Sequence, residues 1–303
     1  MSDATDFRAV YEKEGFYDEL LLPHFYGGVD DAELLRRRLA ELYSAESLGA
    51  LRVAEFGAGT GRMTEHLAPF ADSLIVNDYS AQMIKELTAR FPGSTPLHAG
   101  ARAAVTDLHE QGMASRLDLI GAFWSLSYPL GEYFEELTAT GITPVEDQQA
   151  ARVEAQGFVR DIVRLLAPGG RLLAMFFDSE TAEQQFVTRQ WERVAPFPEG
   201  GRSYTRDLLI NALLDEERDG TGTVSYQRLG GAAVAADEHA AVRWMLEVHL
   251  KNLPQLVESA QVRREVEEFV GRWRRPDSSV VLPTGLYFIE FQRQDHPAAQ
   301  APR

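Results

Sequence analysis

The stretch Glu55-Phe56-Gly57-Ala58-Gly59-Thr60-Gly61 sets an acid ahead of three alternate glycines, and Asp78 follows seventeen residues after the last. Glycines at such spacing let a backbone turn tightly and approach a ligand where a Cβ would intrude. Three ligand loops compete. A phosphate loop of the form G-x-x-x-x-G-K-[ST] requires a lysine, and none follows here. The dinucleotide pattern G-x-G-x-x-G requires glycine at position 62, which is Arg62; this weakens the pattern without removing it. The third form, acidic-x-G-x-G-x-G, turns beneath a ligand that has no pyrophosphate. Glu55 then stands where it can engage a cationic amino group. Asp78, closing "IVND", is placed to accept hydrogen bonds from two ribose hydroxyls.

The surrounding elements must put these residues together. "LRVAEF", "SLIVND", "STPLHAG", "LDLIGAFWSL" and "RLLAMFF" read as five strands, most of them apolar on both faces. Helices alternate with them. One is short and stopped or kinked at Pro69; another is capped by Ser80 and buries Met83, Ile84 and Leu87; "FVRDIVRLLAPGG" ends at Pro168-Gly169-Gly170. Right-handed crossovers then give a doubly wound α/β sheet with ligands at the carboxyl ends of its strands. Gly57–Gly61, Asp78 and Trp124 fall at those ends. Ahead of the first strand, Phe7 to Leu42 has a helical pattern broken by a turn at "PHFYGG". Beyond residue 178 the alternation stops. "TVSYQRLGG" and "AAVRWMLEVHL" read as two antiparallel strands, and "NLPQLVESAQVRREVEEFVGRWRR" as the last helix, with Leu256, Val266, Phe269 and Val270 in the core.

Composition excludes several chemistries. With no cysteine there is no disulfide, thiolate zinc site, cysteine nucleophile or iron–sulfur cluster. A net charge of −16 argues against nucleic acid as a partner. No apolar run approaches a membrane span, and "MSDATDFRAV" lacks the plan of a signal peptide, so a cytoplasmic protein is expected.

Three motifs at matching intervals, "VAEFGAGTG", "VNDYSAQMI" and "LLAPGGRLLAMFF", make the chain resemble the class I S-adenosylmethionine-dependent methyltransferases over roughly residues 11–178. The resemblance implies a mostly parallel, seven-stranded Rossmann-like sheet with an N-terminal helical lid and an antiparallel β insertion after the fifth strand. It also implies that Gly57, Ala58, Gly59 and Gly61 line the methionine part of the cofactor, with Glu55 reaching that region directly or through water. Asp78 would hold the ribose, and Tyr79 and Met83 would flank the adenine. Tyr11 and Phe123 join the same cofactor set. The family often carries an acidic residue after the third strand, where this sequence has Gly100-Ala101-Arg102, so an adenine contact there falls to backbone groups of Ala101 or Arg102. "FYDELL", "EVHLKNLPQLVES" and "LPTGLYFIEFQ" look similar to the branch that methylates small molecules, including amino sugars and amino acids, on nitrogen.

Methyl transfer to nitrogen asks mainly for alignment and exclusion of water, and for an acceptor that arrives deprotonated. Aromatic faces near a sulfonium stabilise its charge. Tyr17 on the lid, Trp124 at the end of the fourth strand, Tyr128 beyond it and His249 are the candidates for that chemistry, each weighed against ordinary packing. No histidine lies between His109 and His239, so a base must come from a tyrosine, a carboxylate such as Asp178 or Glu132, or His249.

The expected organisation is a lid over 1–50, a cofactor-binding core over 51–178, an acceptor-binding insertion over 179–250, a closing helix and strands over 251–294, and a disordered tail over 295–303. The expected activity is transfer of a methyl group from S-adenosylmethionine to a small-molecule acceptor, nitrogen favoured. Carbon or oxygen methylation of an aromatic acceptor, NAD-dependent oxidoreduction and non-catalytic cofactor binding stand as alternatives. No metal, nucleic-acid or membrane partner is expected, and a homodimer is left open.

Overall fold

The computed structural model describes residues 20–138, 141–194, 196–197, 201–251 and 253–295. In chain order, strand β1 (His24–Tyr26) and helix α1 (Asp31–Leu42) precede β2 (Leu51–Phe56), α2 (Thr64–Leu67), β3 (Ala71–Asp78) and α3 (Ala81–Arg90). Strand β4 (Thr95–His98), α4 (Ala101–Glu110), β5 (Leu117–Phe123) and α5 (Ser127–Gly131) follow. A hairpin of β6 (Glu135–Thr138) and β7 (Gly141–Pro144) leads to α6 (Gln148–Leu165) and β8 (Leu166–Phe177). The remainder is α7 (Ala182–Trp191), α8 (Tyr204–Arg218), β9 (Gly222–Ala235), α9 (Glu238–Arg243), a π-helix (Trp244–His249), α10 (Pro254–Val257), α11 (Ala260–Gly271) and β10 (Val280–Arg293).

Eight strands form one sheet in the order β1-β9-β10-β8-β5-β2-β3-β4. The run from β8 to β4 is parallel, and β10 enters antiparallel between β8 and β9. Five expected strands are in place, and "TVSYQRLGG" and "LPTGLYFIEFQ" belong to two long strands of the same sheet. Three local expectations are corrected. "PHFYGG" contains strand β1, paired to β9, ahead of its turn at Gly27-Gly28, where φ is positive. "AAVRWMLEVHL" is helical, not a strand: its alternation of apolar residues comes from a π-helix that turns Trp244 and His249 toward one partner. The last helix is two, because Ser259 opens α11 by accepting the Val262 N–H at 3.3 Å.

Helices α4, α6 and α8 cover one face, through Val105, Ile162 and Leu209. The other face is covered from α1, α2 and α3, through Leu35, Leu67 and Leu87. Beyond Phe177, where β8 ends opposite Leu286, β9 and β10 run on as a pair. That extension carries a third cluster, in which α7, α9, the π-helix and α11 pack through Val187, Met245 and Val266. It therefore stands past the carboxyl end of the parallel strands, the side where sheets of this kind bind ligands. Residues 1–19, including Tyr11 and Tyr17, and residues 296–303 lie outside the described residues, so the expected lid helix and tail fall largely there.

Candidate functional site

At the end of β2 the chain passes through Gly57, Gly59 and Gly61, with φ of 69°, 56° and 84°. Each glycine answers a different demand. A Cβ on Gly57 would lie 2.3 Å from the Cβ of Ser125, and one on Gly61 would lie 2.7 Å from the Phe91 ring. A Cβ on Gly59 would meet nothing within 4 Å. The outer glycines therefore admit neighbouring segments, and the central one opens onto free space, as a ligand cradle requires. Ala58 is buried beneath the loop and donates its N–H to the Asn77 carbonyl at 2.9 Å.

Asp78 joins the next strand to that loop. Its Oδ2 accepts the Gly59 N–H at 3.0 Å and its Oδ1 accepts the Ser80 N–H at 2.9 Å. Burial raises the Asp78 carboxyl above its usual range, and the N–H groups of Ser80, Gly59 and Tyr79 pull it part of the way back. The Tyr79 carbonyl bonds the His98 ring at 3.0 Å, and Met83 is buried one turn into α3. Ala101 opens α4. The Arg102 guanidinium lies 3.7 Å above the Tyr133 ring, in a groove of about 380 Å³ between α4 and α6. Phe123 turns its side chain into the core.

Glu55 is buried behind the loop and accepts the Thr64 hydroxyl at 2.6 Å. Desolvation pushes its carboxyl up to about 8, against the Thr64 bond and the charge of Arg62. Arg62 itself forms a bidentate pair with Asp31 in the first turn of α1, at 2.6 and 2.7 Å. Burial raises the Asp31 carboxyl, but the bond and charge of Arg62 outweigh it and leave Asp31 below its ordinary value. The Trp124 indole donates to the same carboxylate at 2.8 Å from a left-handed backbone, φ 61°, and its ring stacks on Tyr26 at 6.2 Å. Trp124 thus ties the strand end to α1. Asp31 escaped the sequence reading because it lies 31 residues from Arg62 and nothing local marks the partnership.

The remaining candidates lie farther along the ligand side. Tyr128 on α5 is 45% exposed. His249 is partly buried, and its Nε2 bonds Glu183 Oε1 at 3.1 Å; the Trp244 indole donates to that same oxygen at 2.6 Å. Burial lowers the His249 pKa, and the bond and charge of Glu183 raise it part of the way back. Glu183, which sequence spacing did not single out, is held below the ordinary carboxylate range. Burial works against that charge, but the His249 bond and charge and the Trp244 bond prevail.

No protein-family model matches the sequence, and no curated protein matches it. Solved structures do match. YcgJ from Bacillus subtilis superposes with a TM-score of 0.50 at 13% identity, covering 88% of this chain and 98% of that one. BH2331 from Bacillus halodurans, described as a suspected methyltransferase, superposes with a TM-score of 0.50 at 12% identity, covering 87% and 99%. The chain has the class I methyltransferase fold. In the methyltransferase fold of this chain, β1 adds an eighth strand at the edge beside β9. The glycine loop, Asp78 and Trp124 all stand at the carboxyl ends of its parallel strands.

Proposed function

We propose that this protein transfers a methyl group from S-adenosylmethionine to a small-molecule acceptor, with nitrogen favoured over carbon and oxygen. The observation that carries the reading is the joined cradle of Gly59 and Asp78, a carboxylate held by the loop's own N–H beside the glycine of the three in that loop that faces open space. The residues present fit the cofactor. Asp78 keeps lone pairs for two ribose hydroxyls, Gly57–Gly61 admit the methionine part, and Met83 and Tyr79 follow at the adenine side. When bound, S-adenosylmethionine supplies a methyl group activated on a sulfonium. The protein's share is alignment and exclusion of water, which the lobe built on β9 and β10 serves from the acceptor side. The nitrogen preference rests on the resemblance to small-molecule N-methylating enzymes and on a buried carboxylate, Glu183, in that lobe.

The dinucleotide alternative loses ground at Arg62, whose side chain occupies the place of the third glycine and is committed to Asp31. Isothermal titration decides between these readings. S-adenosylmethionine and its demethylated product should bind, and NADH should not. Asp78→Asn should weaken the demethylated product by about tenfold or more, the scale of lost charge-assisted hydrogen bonds. Unchanged affinity would remove Asp78 from the ribose role, and absence of any binding would remove the function.

A further inference from the structure

The chain that leaves β5 starts against the glycine loop and ends at a carboxylate. Ser125 touches the loop itself: its Oγ donates to the Phe56 carbonyl at 2.6 Å, and its Cβ stands where Gly57 has none. Helix α5 then runs from Ser127 to Gly131, and Glu135 opens β6. With about 1.5 Å of rise per helical residue, Gly131 lies within about 10 Å of Ser125, a span that a small-molecule acceptor covers. A Cβ on Gly131 would stand 3.0 Å from the Tyr204 hydroxyl and 3.6 Å from Glu135 Oε1. Glycine at this position leaves room for those two oxygens to meet, and the hydroxyl donates to the carboxylate.

Packing fixes both partners of Glu135. The Tyr204 ring is buried and meets the Phe134 ring edge-on, their centres 5.4 Å apart. Burial and the Glu135 charge push its hydroxyl far above the ordinary value, so it stays a donor. Arg202, two residues earlier, holds its guanidinium 4.7 Å from the centre of the Phe177 ring at the end of β8. It donates to Gln184 Oε1 at 2.8 Å and acts on Glu135 by its charge. Tyr128, Tyr204 and Glu183 also act on that guanidinium. Glu135 is half-buried, and burial pushes its carboxyl up to about 7, against the charge of Arg202 and the bond of Tyr204. The other base candidates are less suited. Glu132 is exposed, Asp178 Oδ2 accepts from Arg228 at 2.7 Å, and His249 is bonded to Glu183.

We propose that Glu135 is the base that takes a proton from the acceptor nitrogen, with Tyr204 and Arg202 as its positioning residues. The inference rests on the methyl-transfer reading. An acceptor ammonium gives one proton to a Glu135 oxygen. Its freed lone pair forms the N–C bond to the methyl carbon as the C–S bond breaks, and that bonding pair stays on sulfur. The product nitrogen then carries the positive charge that left the sulfonium. Partial exposure lets Glu135 return its proton to water. A base serves best when it ionises close to the working pH, and burial of Glu135 beside its two partners brings it there. The Tyr204 bond takes one of the carboxylate's lone-pair sites and leaves others for the acceptor proton.

The test uses the full chain saturated with S-adenosylhomocysteine, whose own binding is first confirmed by titration; its failure to bind would refute the methyl-transfer reading instead. Carbon-13 resonances of labelled glutamate carboxyls are followed across neutral pH. The resonance missing from Glu135→Gln should titrate near 7. Tyr204→Phe removes a donor to the ionised form and should move that midpoint upward by about half a unit or more. Should Glu135→Gln fail to fold, Glu135→Asp assigns the same resonance. A midpoint in the ordinary glutamate range, or one that Tyr204→Phe leaves in place, overturns the proposal. Turnover is read as demethylated cofactor with phenethylamine, tyramine and glucosamine as probes. Glu135→Gln keeps an acceptor for the Tyr204 hydroxyl, so a merely structural role predicts unchanged turnover. A base predicts a kcat lower by about a hundredfold, without the rise through neutral pH, at S-adenosylhomocysteine affinity within about twofold. Tyr204→Phe should shift that rise to higher pH. Unchanged kcat in Glu135→Gln overturns the proposal, and if none of the three amines is methylated the carboxyl titration decides it.

Discussion

At the residue scale, Glu55 shows how burial changes what a motif acid does. Read from spacing, it is an anion awaiting a cationic amino group. In the fold it is fully buried behind the loop and takes up protons near pH 8. Because its folded pKa lies above the ordinary value of about 4.3, the native state binds more protons than the unfolded chain between those limits. Stability contributed by the protonated carboxyl therefore falls as pH rises through that window and is lost above about 8. Glu55→Gln should keep the Thr64 bond and flatten the decline in urea stability between pH 5 and 8. An unchanged slope would show that another group is responsible. The same shift gives a second expectation: a cationic ligand beside Glu55 favours its ionised form. Binding of S-adenosylmethionine at pH 7 should then release up to one proton, read as a dependence of titration heat on buffer ionisation. Buffer-independent heat would place the amino group elsewhere.

At the scale of elements, the glycine loop and α1 are held by close contacts that differ in kind. Gly57→Ala combines a left-handed backbone with a collision 2.3 Å from Ser125 Cβ, and should cost about 3 kcal/mol of folding stability. Gly59→Ala has the same backbone strain but open space, so about 1 kcal/mol is expected, with the loss appearing in cofactor affinity instead. Thermal unfolding and titration of the two variants separate these effects; equal behaviour would contradict the division of labour. Arg62→Ala leaves the Asp31 carboxylate buried with only the Trp124 indole and local donors. Since Arg62 is about a third exposed, screening trims the penalty to about 1–3 kcal/mol. Chemical denaturation checks it, with Asp31→Asn in the Arg62→Ala background expected to restore part of the loss.

At the scale of the whole molecule, β10 enters every apolar cluster. Leu282 packs in the ligand-side lobe, Leu286 on one face of the sheet, and Ile289 and Phe291 on the other. Lobe and core are thus sewn by one strand, and they should unfold together. Urea transitions followed by far-ultraviolet circular dichroism and by tryptophan fluorescence should coincide, with Trp124 reporting the core and Trp191, Trp244 and Trp273 the lobe. Separate midpoints would show the lobe to be an independent unit. No helix among the described residues is long and apolar enough to cross a membrane.

What the sequence determined by itself was the part set by local pattern. Alternating apolar runs and helices specify a parallel sheet, and glycine spacing with Asp78 specifies a loop and an acid at neighbouring strand ends, because strand period and turn chemistry act over a few residues. Long-range partnership was decided only in three dimensions. Asp31 meets Arg62 and Trp124 across gaps of 31 and 93 residues, and Glu183 meets His249 across 66. The π turn that points Trp244 and His249 the same way looked like strand alternation, since apolar spacing alone does not distinguish a strand from a widened helix. Cofactor loops are legible because their geometry is made by neighbours in sequence. The grouping of Glu183 with Trp244 and His249 is not, because it is placed by packing.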